Sequence, residues 1–271
     1  MDRSIAFIGA GNMGGAIALA ACKAIPPTQV HIYNPTAAKS AVLAARCGCT
    51  VAPDATSAVS ACHFTVLGIK PQITPQVLRG LLPALKNRVD AGLPTVLVSI
   101  VAGVLIADLA AILAEADLTL PIVRVIPNTP AAVGEGLLLM TPSAAVSDDD
   151  YAALQEILAP AGMLETVPEP ILAQAMAVYS CSPAFVYMFI EAMADGAVQA
   201  GLPRDMAQRY AAQAVRGAAA MVLESGQHPG ALKDAVCSPG GYTIRGVAEL
   251  EKHGFRAAAA QAVLIAGGAK L

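Results

Sequence analysis

Three groups of residues have types and spacings suited to chemistry. The first is Gly9-Ala10-Gly11-Asn12-Met13-Gly14, a complete G-x-G-x-x-G. In such a motif the first glycine permits a tight turn and the second lets backbone approach a pyrophosphate. The third lets the following helix pack on the preceding strand. Unpaired backbone N–H groups and the positive helix end then face the phosphates. The second group is Gly240-Gly241, followed by Tyr242 and Thr243. A helix beginning near Thr243 leaves N–H groups without intrahelical partners, a terminus suited to a carboxylate. The third is Glu191 and Asp195, four residues apart and so on one face of a helix, a spacing that could serve acid–base work. Their helix is apolar, which gives them a structural or interfacial role instead.

The stretch after the glycine motif bears on which dinucleotide fits. Sites that prefer NAD(H) usually carry an acidic residue after the second strand, accepting from the ribose 2′-hydroxyl. Here no acid stands between Asp2 and Asp54, whereas Arg3, Lys23, Lys39 and Arg46 do. The second strand ends in Asn34-Pro35-Thr36, which offers hydrogen bonds and no charge that repels a 2′-phosphate, and Lys39 follows within reach. The inference is NADP(H), with NAD(H) tolerated.

Other chemistries find less support. Of the six cysteines (22, 47, 49, 62, 181 and 237), only Cys47 and Cys49 are close in sequence. They have no matching ligand pair nearby and the histidines are dispersed, so no metal is expected. Reduced thiols in the cytoplasm are the expectation. A net charge of −3 and a pI near 5.8 leave no basic footprint for nucleic acid.

These residues need elements to hold them. Short apolar strands are predicted at Ile5–Gly9, Val30–Tyr33, His63–Ile69, Thr95–Ile100, Ile122–Ile126 and Leu137–Met140. Helical stretches intervene at Met13–Ala24, Ala37–Arg46 and Gln72–Val89, and Ser147–Leu158 closes the half with Ser147 as its N-cap. Strands alternating with helices indicate βαβ units and a mostly parallel, Rossmann-type sheet. From Ile171 onward the pattern is helical without strands: one helix to about Ala200, a stop at Gly201, then helices to Ser225, over Ile244–Lys252 and over Phe255–Ala266. Two domains follow, 1–167 and 168–271, as the length also suggests.

The composition adds a requirement. Hydrophobic residues make up 56% and charged residues 14%, against a typical charged share of ~25%. Too little charge is present to cover a monomer. The apolar run Ile5–Cys22 is explained by the glycine motif rather than by a signal peptide, and Ala175–Ile190 is short for a span and holds Pro183. The expectation is a soluble oligomer that does not enter a membrane.

Further segments carry a resemblance. They are Gly68-Ile69-Lys70-Pro71-Gln72, Ser99-Ile100-Val101-Ala102-Gly103, Arg124-Val125-Ile126-Pro127-Asn128-Thr129-Pro130-Ala131 and Cys237-Ser238-Pro239-Gly240-Gly241-Tyr242-Thr243-Ile244. The last is preceded by His228-Pro229-Gly230-Ala231-Leu232-Lys233-Asp234. With the glycine motif, they make the chain resemble pyrroline-5-carboxylate reductase. The resemblance implies reduction of the cyclic imine 1-pyrroline-5-carboxylate to L-proline, by hydride transfer from a nicotinamide cofactor. It implies a Rossmann domain, a helical dimerisation domain, a homodimer, and dimers that often form a ring of five, a decamer. Ile8, Gly9, Ala10, Gly11, Asn12 and Met13 would hold the pyrophosphate, and Asn34 and Thr36 the adenosine end. Gly68, Ile69, Lys70, Pro71 and Ala102 would line the nicotinamide half. Thr243 would hydrogen-bond the imine nitrogen, beside substrate contacts from Glu169, Ser238, Gly240 and Gly241.

Two departures from the family pattern add bulk where it implies substrate: Tyr179-Ser180-Cys181-Ser182 replaces a small Ser-Gly stretch, and Tyr242 replaces Ala or Thr. Tyr179 and Tyr242 either pack together or reshape the pocket for another cyclic imino acid, such as piperideine carboxylate. A 3-hydroxyacid dehydrogenase has a similar layout but uses a lysine on the first long helix of its second domain, and no lysine stands between Lys86 and Lys233. A nucleotide-binding protein without catalysis would have no use for Thr243 and the Gly240-Gly241 turn.

Overall fold

Ile5, Ala6, Phe7 and Ile8 form β1 (Ile5–Ile8), a strand buried on both faces, as a central strand of a parallel sheet must be. In the computed structural model, which describes residues 3–268, it is followed by α1 (Asn12–Ala24), β2 (Val30–Tyr33), α2 (Ala37–Cys47), β3 (Thr50–Val51) and α3 (Ala55–Ala61). Then come β4 (Phe64–Leu67), α4 (Thr74–Asp90), β5 (Val96–Ser99), α5 (Ile106–Ala114), β6 (Ile122–Ile126), β7 (Gly136–Pro142), α6 (Asp148–Leu158) and β8 (Gly162–Thr166). The strands form one sheet in the order β3-β2-β1-β4-β5-β6-β7-β8. Alternate residues of β1 serve opposite faces: Ile5 and Phe7 pack with α1 and α6, Ala6 and Ile8 with α3, α4 and α5.

The mostly parallel sheet agrees with the sequence, with one qualification. β7 runs antiparallel to β6: residues 127–135 join them with a single 3-10 helix, Thr129–Val133, and a parallel return would need a crossover of a dozen or more residues. Ser147 caps α6 as expected, its Oγ accepting from the Asp150 N–H at 3.1 Å. The chain divides into two compact units, Met1–Ser180 and Cys181–Leu271. The first unit extends beyond residue 167 because α7 (Glu169–Tyr179) buries Leu172 and Tyr179 against Ile126 and Leu139.

The second unit is helical throughout its described residues: α8 (Ser182–Gln199), α9 (Arg204–Ser225), α10 (Pro229–Ala235), α11 (Tyr242–Lys252) and α12 (Phe255–Ala266). The single helix read from Ile171 to Ala200 is in fact α7 and α8, broken at Ser180–Cys181, with Pro183 at the first turn of α8. By length and apolarity alone, Glu169–Gln199 would reach across a membrane. The core of this unit is small, built on Ala194, Ala207 and Ala211. Large apolar side chains remain outside it, among them Met188 at 69% and Leu223 at 76% exposure. Asp195 is engaged by Arg204 at 2.5 Å, both side chains about half exposed.

Folding also joins cysteines that the sequence separates. Cys22, Cys47 and Cys49 have Sγ atoms within 4.8 Å of one another. Hydrogen bonds from Cys22 and Cys47 hold the Cys49 thiol well below its ordinary value, at about 6, and the same interaction with Cys49 pushes Cys22 up.

Candidate active site

The turn from β1 into α1 is built by contact. Gly9 has φ +101°, and a Cβ there would lie 2.4 Å from the Gly68 carbonyl oxygen. A Cβ on Gly14 would lie 2.1 Å from the Gly9 carbonyl oxygen, and one on Gly68 2.6 Å from the same atom. These three glycines therefore interlock the turn, the helix and the loop after β4. Gly11 is different. A Cβ there would meet no protein atom within 4 Å, so the space beside it is open to a ligand. Gly11 caps α1 without a side-chain bond, and the first turn holds no acid, so its N–H groups face outward without competition.

Four loops at the carboxyl ends of adjacent parallel strands carry the residues assigned to the cofactor. Ile8 to Met13 follow β1, Asn34 and Thr36 follow β2, Gly68 to Pro71 follow β4, and Ala102 follows β5. β2 and β4 flank β1 on opposite sides, which makes this edge the topological switch point where such sheets bind ligands. The Gly9 N–H donates to the Tyr33 carbonyl and the Gly68 N–H to the Ile8 carbonyl, each at 2.8 Å, tying the three loops together. Ile8 is only 2% exposed, so it can offer backbone alone. Asn34 Nδ2 donates to the Thr36 carbonyl at 3.2 Å, and the Thr36 side chain does not cap α2.

A cleft of about 540 Å³ opens beside this turn, lined by Ala10, Gly11 and Asn12 and by Lys39, Leu43 and Arg46 of α2, among others. No acid lines it. Asn34, Thr36, Gly68 to Pro71 and Ala102 are not on its wall. Arg46 was not singled out as a contact by the sequence reading. Its signal was helical spacing: Lys39, Leu43 and Arg46 stand on one face of α2.

The far end of the sheet holds two further assigned residues, both with partners in the same unit. Glu169 Oε1 accepts from Arg124 Nη1 at 3.0 Å and from the Ile106 N–H at 2.9 Å. Tyr179 is buried, its hydroxyl donates to the Ile126 carbonyl at 2.9 Å, and burial pushes its phenol up from the ordinary value. Asn128 ties the same region, donating to the Tyr179 carbonyl and accepting from the Leu137 N–H, both at 2.9 Å. The sequence gives no sign of a role for Arg124 or Asn128; their burial and these hydrogen bonds make them the anchors of α7 and β7.

The second unit brings Ser238, Gly240, Gly241, Tyr242 and Thr243 into one turn. Gly240 has φ +67°, and the Gly241 N–H donates to the Ser238 carbonyl at 3.0 Å. A Cβ on Gly241 would lie 2.3 Å from Ser238 Oγ and 3.2 Å from the Ser238 carbonyl oxygen, so any larger residue here would have to turn the Ser238 hydroxyl aside. Gly241 caps α11 without a side chain, leaving the first N–H groups of the helix outward. Thr243 is the second residue of that helix and exposed, and Tyr242 is 88% exposed. The Arg245 guanidinium lies 4.8 Å from the Tyr242 ring centroid, which puts a positive charge beside the turn.

Comparison with known proteins bears on both units. Residues 4–103 match the family model described as NADP oxidoreductase coenzyme F420-dependent. Residues 169–267 match that for pyrroline-5-carboxylate reductase dimerisation. The pyrroline-5-carboxylate reductase of Escherichia coli is 43% identical over 265 residues, covering 97% of this chain and 95% of the relative. That of Pisum sativum is 36% identical over 265 residues, covering 97% and 93%. The crystal structure of Plasmodium falciparum pyrroline carboxylate reductase with NADP bound superposes with a TM-score of 0.84 at 30% identity, covering 98% of this chain and 95% of that one. Matched at this identity along nearly its whole length, the chain belongs to the pyrroline-5-carboxylate reductase family.

Proposed function

We propose that the chain reduces 1-pyrroline-5-carboxylate to L-proline with NADPH, accepting NADH less well. The reading is carried by the 43% identity, over 97% of the chain, to a reductase of that name. The open space at Gly11 and the cationic wall of Lys39 and Arg46 support the cofactor choice.

When bound, the dinucleotide supplies a hydride from nicotinamide C4 to the imine carbon. The backbone from Ile8 to Met13 binds its pyrophosphate, with Asn34, Thr36 and Lys39 toward the adenosine ribose. Gly68, Ile69, Lys70, Pro71 and Ala102 orient the nicotinamide half. Ser238 and the N–H groups after Gly240 and Gly241 hold the substrate carboxylate. Thr243 accepts a hydrogen bond from the protonated imine nitrogen, so hydride arrival completes a secondary amine without a proton from the protein. Holding the two reacting carbons close and aligned provides most of the barrier lowering. Tyr242, open to solvent, sets the width of the substrate pocket. Tyr179 and Glu169 brace α7 within the first unit.

The active assembly is a homodimer through the helical unit, extended to a decamer, working in the cytoplasm without nucleic acid or membrane. The exposed apolar residues of α8 and α9 and the match to a dimerisation model support the homodimer. The test is NADPH oxidation by purified protein with 1-pyrroline-5-carboxylate, set beside its six-membered analogue. Absence of turnover with either imine would overturn the reading.

A further inference from the structure

Cys22 on α1, Cys47 at the end of α2 and Cys49 before β3 form a cluster of three free thiols. Gly48 ends α2 in the left-handed region, φ +75°, and turns Cys49 back beside Cys47. Cys22 reaches them from the neighbouring helix, its Sγ donating to Cys47 Sγ at 3.4 Å, while Cys47 Sγ contacts the Leu43 carbonyl at 3.3 Å. All three sulfurs lie within 4.8 Å of one another, Cys49 buried and the other two half-buried.

That spacing matches a particular chemistry. Metal–thiolate bonds of ~2.3 Å set three sulfurs around one ion roughly 3.8–4.0 Å apart. The cluster needs only side-chain adjustment to meet that distance. Its donors are all sulfur, which favours soft closed-shell ions over magnesium or calcium. A disulfide would need only two of the three thiols and gives no reason for the third.

We propose that Cys22, Cys47 and Cys49 form a three-sulfur binding site for a soft thiophilic metal ion, Zn²⁺ or Cu⁺. On binding, each thiol S–H bond breaks, its proton passes to solvent and a metal–sulfur bond forms, with no change of oxidation state. Cys47 adjoins Arg46, so the site sits behind the wall of the dinucleotide cleft.

The test uses the reduced full-length protein, stripped with a chelator and titrated anaerobically with Zn²⁺ alone and, separately, Cu⁺ alone. Expected are one ion retained per chain after gel filtration and protection of the half-buried Cys22 and Cys47 from a thiol reagent. Cys49→Ser should weaken binding by ~100-fold or more, since losing a mere supporting partner of a ligand already costs ~10–100-fold, with Cys49→Ala as a second variant should the serine disturb folding. Cys181→Ser should leave binding unchanged. Retention of neither ion would overturn the proposal, and so would binding that survives both Cys22→Ser and Cys49→Ser. Mild oxidation that joins Cys22 to Cys47 in a protein that retains neither ion would assign the cluster to disulfide chemistry instead.

Discussion

Arg124 and Glu169 meet at 3.0 Å across the sheet and α7, with the arginine side chain 5% exposed and the carboxylate 25% exposed. The same Oε1 also accepts from the Ile106 N–H, so a single oxygen joins β6, α7 and the start of α5. A buried guanidinium deprived of its counter-ion is costly, on the order of 3–5 kcal/mol. Glu169→Ala should lower stability by that order, and Glu169→Gln by less because it can still accept from Ile106. Urea denaturation checks this; a loss within ~0.5 kcal/mol, usual for surface changes, would mean that Arg124 finds water or another acceptor.

Thr243→Val keeps side-chain shape and removes the hydroxyl. Losing that hydrogen bond to substrate should cost ~1–3 kcal/mol, a fall of roughly 5- to 150-fold in kcat/KM. The KM for NADPH should stay the same, since the glycine turn belongs to the other unit. Unchanged turnover would reduce Thr243 to a helix-initiating residue.

Wild-type protein should use NADPH with higher kcat/KM than NADH. Lys39→Ala and Arg46→Ala should each lower efficiency with NADPH by about tenfold, the scale of one charged hydrogen bond. Efficiency with NADH should barely move. Matched kinetics with both cofactors decide it, and equal losses with the two would place these cations away from the 2′-phosphate.

The two tyrosines should separate in their effects. Tyr179→Phe leaves the Ile126 carbonyl without its donor and should cost stability by ~1–3 kcal/mol, read by thermal unfolding. Tyr242→Ala should leave stability alone and change the ratio of activity on five- and six-membered imines. A constant ratio would show that Tyr242 points away from substrate.

Light scattering on dilute, active protein should give a mass of at least two chains of 27.4 kDa. Met188 and Leu223 stay largely exposed in the single chain, and apolar surface of this kind is normally covered by a partner. An active monomer would contradict that.

Much of the first unit was legible because its strands are continuous apolar runs bounded by turns. β1, β2, β4, β5, β6 and β7 carry that signal strongly. β3 has only two residues and β8, Gly162–Thr166, is a half-exposed edge strand, so neither stood out. The short helix α3 was hidden as well, since its start depends on Asp54 Oδ1 accepting from the Ser57 N–H. The break at Ser180 was masked by apolar residues on both sides. The glycine motif could be read because Gly9 and Gly14 answer local steric demands and Gly11 leaves its space open to a ligand. The cysteine cluster could not, because Cys22 joins Cys47 and Cys49 only through the side-by-side packing of α1 and α2.

The anchoring of α7 has a consequence for where this chain can be cut or recombined. A fragment ending at Val167 would leave Arg124 without Glu169, Asn128 without the Tyr179 carbonyl, and the Ile126 carbonyl without its donor. A fragment ending at Ser180 keeps all three. The dimerisation match opens at residue 169, so the segment counted with the helical module by ancestry is held by the nucleotide-binding module in physical terms. Chimaeras between relatives should therefore tolerate a crossover after Ser180 better than one before Glu169. α7 is inherited with one half of the protein and folds with the other.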